Sequence, residues 1–360
     1  MTFNPNHAFD LPHLPPRIKQ EDLFKPELVQ LIIQTNRAIG ELNGLCRAIP
    51  NPYPLLMNIP ILQEAVSSSA IEGIDTTVET LLEAQIKLDT EQDTASKEAL
   101  RYREALHKGF KSLKNYNSLP TRVILSIHDQ LIPNGGHFKK QENKIANGAK
   151  TVYTPPLPQQ INGLMENWEN YINSKDNKID SLIKIAISHY QFEAIHPFSD
   201  GNGRTGRILI VLQMSLYKLL DWPVLYVSGY LIKNRQKYYS RLLNISKSNN
   251  WLEFIKFMMK VFYEQAKVTK KVITNIIEEK NKTKQILKSK HKSIYSQEFL
   301  EYLFAYPVAY PTAMSKRLNI TYQTASKFLS ELEKAGLLVK KRSGKYTFYY
   351  NFNLLDCLKT

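Results

Sequence analysis

Only two cysteines occur in 360 residues, Cys46 and Cys357, at opposite ends of the chain and without a CxxC pair or a histidine cluster around either. That excludes a disulfide-stapled fold and a thiolate zinc site, and it predicts two buried, reduced, inert thiols. No run of apolar residues reaches the roughly 18 needed to cross a bilayer. The first twenty residues, MTFNPNHAFDLPHLPPRIKQ, are proline-rich and polar where a secretory signal would be apolar. A soluble, cytoplasmic chain with no membrane partner is expected. Internal repeats and long low-complexity tracts are also missing, and alternating strand-like patterns are scarce.

What is there is enough for a large core: 43% of residues are hydrophobic, and the length suits more than one domain. A formal charge of +15 favours an anionic partner without saying which. The excess leans C-terminal, with lysines crowding residues 267–293 while acids gather in the first third.

Helical periodicity runs from Glu21 to about Leu113, and again over 121–133 up to Pro133. Two strand-like runs straddle Asn147-Gly148 ahead of Pro155-Pro156, which predicts a hairpin. IDSLIKIAISHYQFEAI (179–195) and RILIVLQMSLYKLL (207–220) are apolar around most of their circumference, as central helices are. A helix follows over NRQKYYSRLLNISKSN, then a long one from Trp251 that grows basic and trails into a linker. From residue 294 the character changes. Three short helical units precede two β-type runs around Ser343-Gly344, the order of a winged helix-turn-helix.

Between the two central helices lies HPFSDGNGRTGR, residues 196–207, too polar for a mere connector. Gly201, Asn202 and Gly203 precede a helix predicted to start near Arg204, so free backbone N–H groups can meet an anion there. Arg204 and Arg207, three apart, would turn two guanidinium groups to the same side. Asp200 at the edge of an anion site implies a cation between it and the ligand, and one carboxylate plus phosphate oxygens is an ordinary magnesium shell. His196 could then take a proton from a hydroxyl attacking the bound phosphate. These residues point to phosphoryl or nucleotidyl transfer.

The stretch resembles the Fic family signature HxFx[D/E]GNGRxxR, matching at each specified position. The resemblance implies a mainly α fold: a Fic-type helical bundle with a small β-hairpin flap, here followed by a C-terminal winged helix domain. It implies transfer of AMP from ATP, with Mg²⁺, to a Tyr, Thr or Ser hydroxyl of a protein, including the chain itself. His196 would be the base, Asp200 the metal ligand, Gly201, Asn202, Gly203 and Arg204 the cradle for the α- and β-phosphates, and Arg207 the γ-phosphate contact. Thr205 and Gly206 complete the ATP-binding stretch, and Phe198 would anchor the loop.

SSAIEG, residues 68–73, resembles the family's inhibitory pattern [S/T]xxxE[G/N], with Ser68, Glu72 and Gly73 in the specified places. Glu72 would pair with Arg207 where the γ-phosphate belongs. An exposed pair, worth about 0–1 kcal/mol, could not hold ATP off; a sheltered charged bond, roughly 1.5–3 kcal/mol, could. Residues 144–156 resemble the flap that holds the target as an added strand. Near NRQKYYSRL, Asn234 would border the nucleotide, with Tyr238 and Tyr239 as weaker candidates.

The expected domains are an N-terminal helical region with inhibitory helix (1–113), a Fic core (114–265), a basic helical linker (266–293) and a winged helix-turn-helix (294–360). Thr321, Gln323, Thr324, Ser326 and Lys327, with Lys340, Lys341, Arg342 and Lys345 on the wing, make DNA a candidate partner. A homodimer is a further candidate. Three alternatives stay open: a DNA-binding regulator whose Fic core senses nucleotide, a relative using another donor, and an enzyme that removes AMP.

Overall fold

The computed structural model describes residues 3–87, 92–175 and 179–359. The first region contains α1 (Gln20–Leu23), α2 (Pro26–Arg47), α3 (Tyr53–Leu56), α4 (Ile59–Ile71), α5 (Val78–Ala84) and α6 (Thr94–Tyr116). Residues 88–91 of the long helical stretch expected there lie outside the described residues. Asp93 sets the start of α6, its carboxylate accepting from the Ser96 N–H at 2.8 Å.

The middle of the chain follows with α7 (Thr121–Leu131), β1 (Ile145–Asn147), β2 (Lys150–Tyr153), α8 (Ile161–Asn173), α9 (Ser181–Ile195), α10 (Asn202–Leu216), α11 (Ser228–Lys233) and α12 (Arg235–Ser248). α9 and α10 are the two central helices, and nearly all of their residues are buried. One polar contact joins them and another ties α8 to α9: Ser188 Oγ donates to Gln213 at 2.7 Å, and Trp168 Nε1 on α8 donates to the Ser188 carbonyl at 2.8 Å.

α13 (Trp251–Lys290) runs unbroken for 40 residues, about 60 Å. Its second half is the segment expected as a linker, but it is not loose. Val272, Ile273, Ile276 and Leu287 continue the apolar stripe and are buried, so the lysines are the solvent side of a packed helix. α13 lies along α2, and the basic and acidic ends of the sequence meet there, with Lys256 to Glu27 at 2.9 Å and Lys270 to Glu41 at 2.8 Å.

The C-terminal unit comprises α14 (Gln297–Ala305), β3 (Val308–Ala309), α15 (Pro311–Leu318), α16 (Tyr322–Lys334), β4 (Val339–Ser343), β5 (Tyr346–Tyr350) and α17 (Phe352–Asp356). The three helices and the hairpin match expectation; β3 and α17 were not foreseen. β3 is only two residues between Pro307 and Pro311, too short to pattern, yet it pairs with Tyr349 and Tyr350 and makes the order β3-β5-β4. Both hairpins turn one residue later than expected. Their central residues are Gly148-Ala149 and Gly344-Lys345, with the glycine at φ +61 and +57, the requirement of a type II′ turn rather than an Asn-Gly type I′.

This unit rests on the first region. Gln63 Nε2 of α4 donates to the Leu358 carbonyl at 2.8 Å, Asn58 Nδ2 donates to the Ala305 carbonyl at 3.3 Å, and the Tyr350 hydroxyl donates to Glu83. Both cysteines are free thiols. Cys46 is buried, and burial, aided by Asp221, pushes its thiol up to about 12. Cys357 departs from expectation: on the last short helix there is little to cover it, and it is only partly buried.

Trp168 is fully buried beneath α9. Trp168→Ala should cost about 3–5 kcal/mol through the cavity left and the lost hydrogen bond; thermal unfolding checks this, and a shift of less than a few degrees would mean the core closes over the gap.

Candidate active site

The polar loop is set by its neighbours in space. α9 ends at His196, whose N–H still reaches the Phe192 carbonyl at 3.0 Å while its φ turns to +49°, left-handed for a residue with a side chain. Phe198 is fully buried and stacks on the His128 ring of α7, centroids 3.7 Å apart. His128 Nδ1 accepts from the Gly136 N–H at 3.0 Å, so its Nε2 carries the proton and donates to the Asp200 carbonyl at 2.9 Å. Asn202 closes the turn from inside: its amide donates to the Phe198 carbonyl at 2.8 Å and accepts from the Phe198 N–H at 2.9 Å.

α10 begins at Asn202, two residues earlier than expected, with Gly201 as its N-cap. Gly201 has φ +72°, and a Cβ there would come 2.8 Å from the Ile132 side chain, so two constraints require glycine. The first α10 bond is Thr205 N–H to the Gly201 carbonyl at 2.9 Å, so the N–H groups of 202–204 have no partner within the helix.

The two arginines do not face one way. Arg204 is buried, with Nη1 donating to Glu98 of α6 at 2.7 Å and Nη2 3.5 Å from Asp200. Arg207 is 1% exposed and held by α4: Nε donates to Ser68 Oγ at 2.8 Å, Nη2 to the Ser68 carbonyl at 2.9 Å and to Glu72 Oε1 at 2.8 Å. Glu72 caps the C-terminal end of α4 with its side chain 33% exposed, and Gly73 follows at φ +83°. Burial works to raise the Glu72 carboxyl, but Arg207, with Arg204 and Arg235, outweighs it and holds it below the usual range.

A cavity of about 850 Å³ opens beside this pair. It is lined by Glu72, His196, Gly203, Arg207, Tyr238 and Tyr239 among the sequence-derived candidates, by the flap residues Ile145, Ala146 and Asn147, and by Arg235 and Gln236 of α12. A Cβ at Gly203 would collide with the Glu72 carboxylate, so glycine is what lets Glu72 lie on α10. Asn202, Thr205 and Gly206 do not line the cavity; the Thr205 hydroxyl donates to the Gly201 carbonyl at 2.8 Å. Asn234 does not line it either, since its amide donates to the Tyr230 carbonyl at 3.0 Å. The Tyr238 hydroxyl is paired with His189 at 2.7 Å, whereas Tyr239 stays half exposed at the rim.

Asp200 points outward, its side chain 74% exposed, with Oδ1 accepting from the Gly201 N–H at 2.6 Å. Among the described residues no three His, Cys, Asp or Glu side chains cluster to hold a metal. A cation here would therefore take one protein oxygen and need the rest from a ligand, which suits a metal bound to phosphates rather than to protein alone.

Sequence reasoning missed His128, Glu98 and Lys139. Lys139 is buried behind the loop, its N–H donating to the Pro197 carbonyl at 2.9 Å and its Nζ to Asn143 at 2.6 Å. Burial pushes its ammonium down to about 8. Burial, then the Lys139 charge, pushes the His196 imidazole down to about 4, against the pull of the Glu193 carbonyl, Glu72 and Asp200.

Comparison with known proteins places this geometry. The Fic/DOC family model matches residues 118–214, and the Fic/DOC family N-terminal model matches residues 29–111, together half of the chain. The chain belongs to the Fic/DOC family. A third model, described as the C-terminal domain of SoFic-like protein adenylyltransferase, matches residues 280–354. This Fic/DOC chain is 28% identical over 207 residues to a "Protein adenylyltransferase Fic" of Aedes aegypti, covering 55% of this chain and 39% of that protein. It is 26% identical over 225 residues to the one from Culex quinquefasciatus, covering 60% and 41%. It thus spans about two fifths of the length of these curated relatives. The fold is that of a Fic family protein from Desulfovibrio desulfuricans G20 (TM-score 0.57, 18% identity, 94% of this chain and 98% of that one) and of residues 134–508 of Fic-1 from C. elegans (0.53, 19%, 68% and 73%).

With its imidazole held near 4, His196 should be neutral from about pH 5 upward. Ring-proton NMR titration of the chain should show no His196 transition between pH 5 and 8; a midpoint near 6.5 would contradict the burial described.

Proposed function

We propose that this chain is a protein adenylyltransferase restrained by its own Glu72. The observation that carries the proposal is one cavity lined together by His196, the first turn of α10 at Gly203, and Arg207 paired with Glu72. A base, an anion-binding helix start and a phosphate-sized guanidinium contact are what AMP transfer needs.

In this reading the triphosphate lies along the start of α10 and displaces Glu72 from Arg207. The acceptor hydroxyl of a target Tyr, Thr or Ser gives its proton to neutral His196. The oxygen bonds to the α-phosphorus, the bond to the bridging oxygen breaks, and pyrophosphate leaves with the electron pair. The imidazole is a weak base in the free chain, and the arriving triphosphate strengthens it, because a nearby anion favours the imidazolium. Asp200 would give a magnesium ion one ligand, and the bound ion would supply neutralisation of charge on the departing pyrophosphate. Ile145 to Asn147 of the flap, which line the cavity, would pair with an extended target segment. Hydroxyls of the chain itself are within the same chemistry.

Full restraint needs a sheltered ion pair, and Arg207 is buried while Glu72 is a third exposed. Glu72→Gly should raise transfer of label from α-labelled ATP to protein by about 10-fold and at most about 100-fold, and adding His196→Ala should lower it by about 10²–10⁴ while ATP still binds. Equal rates in Glu72→Gly and the parent would remove the restraint; labelling that survives His196→Ala would remove the base.

DNA contact by the C-terminal unit is a separate proposal, supported by exposed Lys340 and Arg342 on β4 and exposed Gln323 and Lys327 on α16. Thr321 and Thr324 are not free for it, since they cap α16 together, 2.9 Å apart. Duplex affinity should fall steeply with salt, by about one power of the salt concentration per phosphate neutralised; an affinity that ignores salt would sink this contact.

A further inference from the structure

One group in the cavity has no task in the chemistry above. Glu193 lies one turn before His196 on α9 and lines the cavity with His196, Glu72 and Arg207. Its Oε1 is shut off from solvent and has no hydrogen-bond partner. It sits directly on the α10 backbone at Gly206, where any Cβ would collide with it. The charged and titratable groups that face it come from three elements: Arg207 of α10, Glu72 at the end of α4, and the hydroxyls of Tyr238 and Tyr239 on α12.

We propose that Glu193 is a nucleotide-binding residue: its protonated carboxyl donates a hydrogen bond to a triphosphate oxygen, and its ionisation drives the nucleotide out. The proposal rests on the nucleotide-site reading above. A carboxylate with an unpaired oxygen shut in against α10 is expensive, whereas the protonated acid can donate its O–H from the edge that lines the cavity. Burial pushes Glu193 up to about 7, with Arg207 opposing and Glu72 adding to the rise. The acid is therefore protonated below neutrality and ionised above it. Glu72 and Arg207 mark the anionic end of the ligand, so the acceptor is a phosphate rather than a ribose oxygen. Once a triphosphate holds Arg207, an ionised Glu193 would face it as a second anion with its counter-charge already taken.

The test is equilibrium binding of ATP and of adenosine, from pH 6 to pH 8, to the full-length Glu72→Gly chain and to the same chain carrying Glu193→Gln, which keeps a donor and cannot ionise. Glu72 adds to the rise, so without it Glu193 ionises somewhat below about 7; from pH 6 to pH 8 its protonated fraction then falls at least about tenfold, and ATP affinity of the Glu72→Gly chain should fall with it. The double variant should lose that part of the fall, and adenosine should respond to pH alike in both proteins. Lys139, near 8, and the terminal phosphate of ATP titrate in both, so only the difference between the two chains belongs to Glu193. Glu193→Met, neutral and of similar length but without a donor, should bind ATP more weakly at pH 6 than Glu193→Gln. Equal ATP slopes in the two chains, an adenosine difference as large as the ATP one, or equal affinity of the Met and Gln variants would each overturn the proposal. Failure of ATP to bind any of these proteins at any pH would instead overturn the nucleotide-site reading on which it rests.

Discussion

A guanidinium buried to 1% exposure is an expensive object, and Arg207 is tolerable only because α4 surrounds it with acceptors. Two come from Ser68, a hydroxyl and a backbone carbonyl, and one from Glu72. The consequence is mutual. α4 is fixed against α10 by the same bonds that satisfy the cation, and the cavity owes its shape to that docking. Glu64, one turn before Ser68 on the same face of α4, pins the helix further along, accepting from the Ser228 hydroxyl and N–H and from Tyr102. Of the three contacts on Arg207, only the carboxylate lies at the cavity edge, which makes it the one an incoming anion could replace without dismantling the helix.

The loop beneath obeys a different constraint. Its backbone has to turn sharply between two helices that are apolar almost all round, without leaving polar groups unpaired. Asn202 and His128 do this work from opposite sides, one bonding to Phe198 and the other to Asp200, with the Phe198 ring as the wedge between them. The result is a rigid rim in which the outward groups, the Asp200 carboxylate and the free N–H groups of α10, are those a phosphate and its cation could use.

Much of this was legible in the sequence for a local reason. The residues from His196 to Arg207 form one turn and one helix start, and the spacing of glycines, aspartate and arginine specifies both. The hairpin, the central helices and the C-terminal helices were legible in the same way. What sequence could not give was partnership at a distance. Arg204 looked like a second phosphate contact because its position three before Arg207 was visible, while Glu98, 106 residues away, was not. His128 read as one more residue of an amphipathic helix, and its ring is the floor of the loop. The basic stretch after Ala266 looked like a linker because its charge is conspicuous and its apolar stripe needs a neighbour to be recognised. Ser68 and Glu72 were found only through their resemblance to a known pattern; spacing alone would have left them as an ordinary helix end.

His196 adopts a left-handed backbone conformation that costs an ordinary side chain roughly 1–2 kcal/mol and a glycine almost nothing. The chain therefore gives up some stability at the residue that carries the cavity's imidazole. Glycine at that position would make a tougher protein but would remove the imidazole that the proposed transfer needs there.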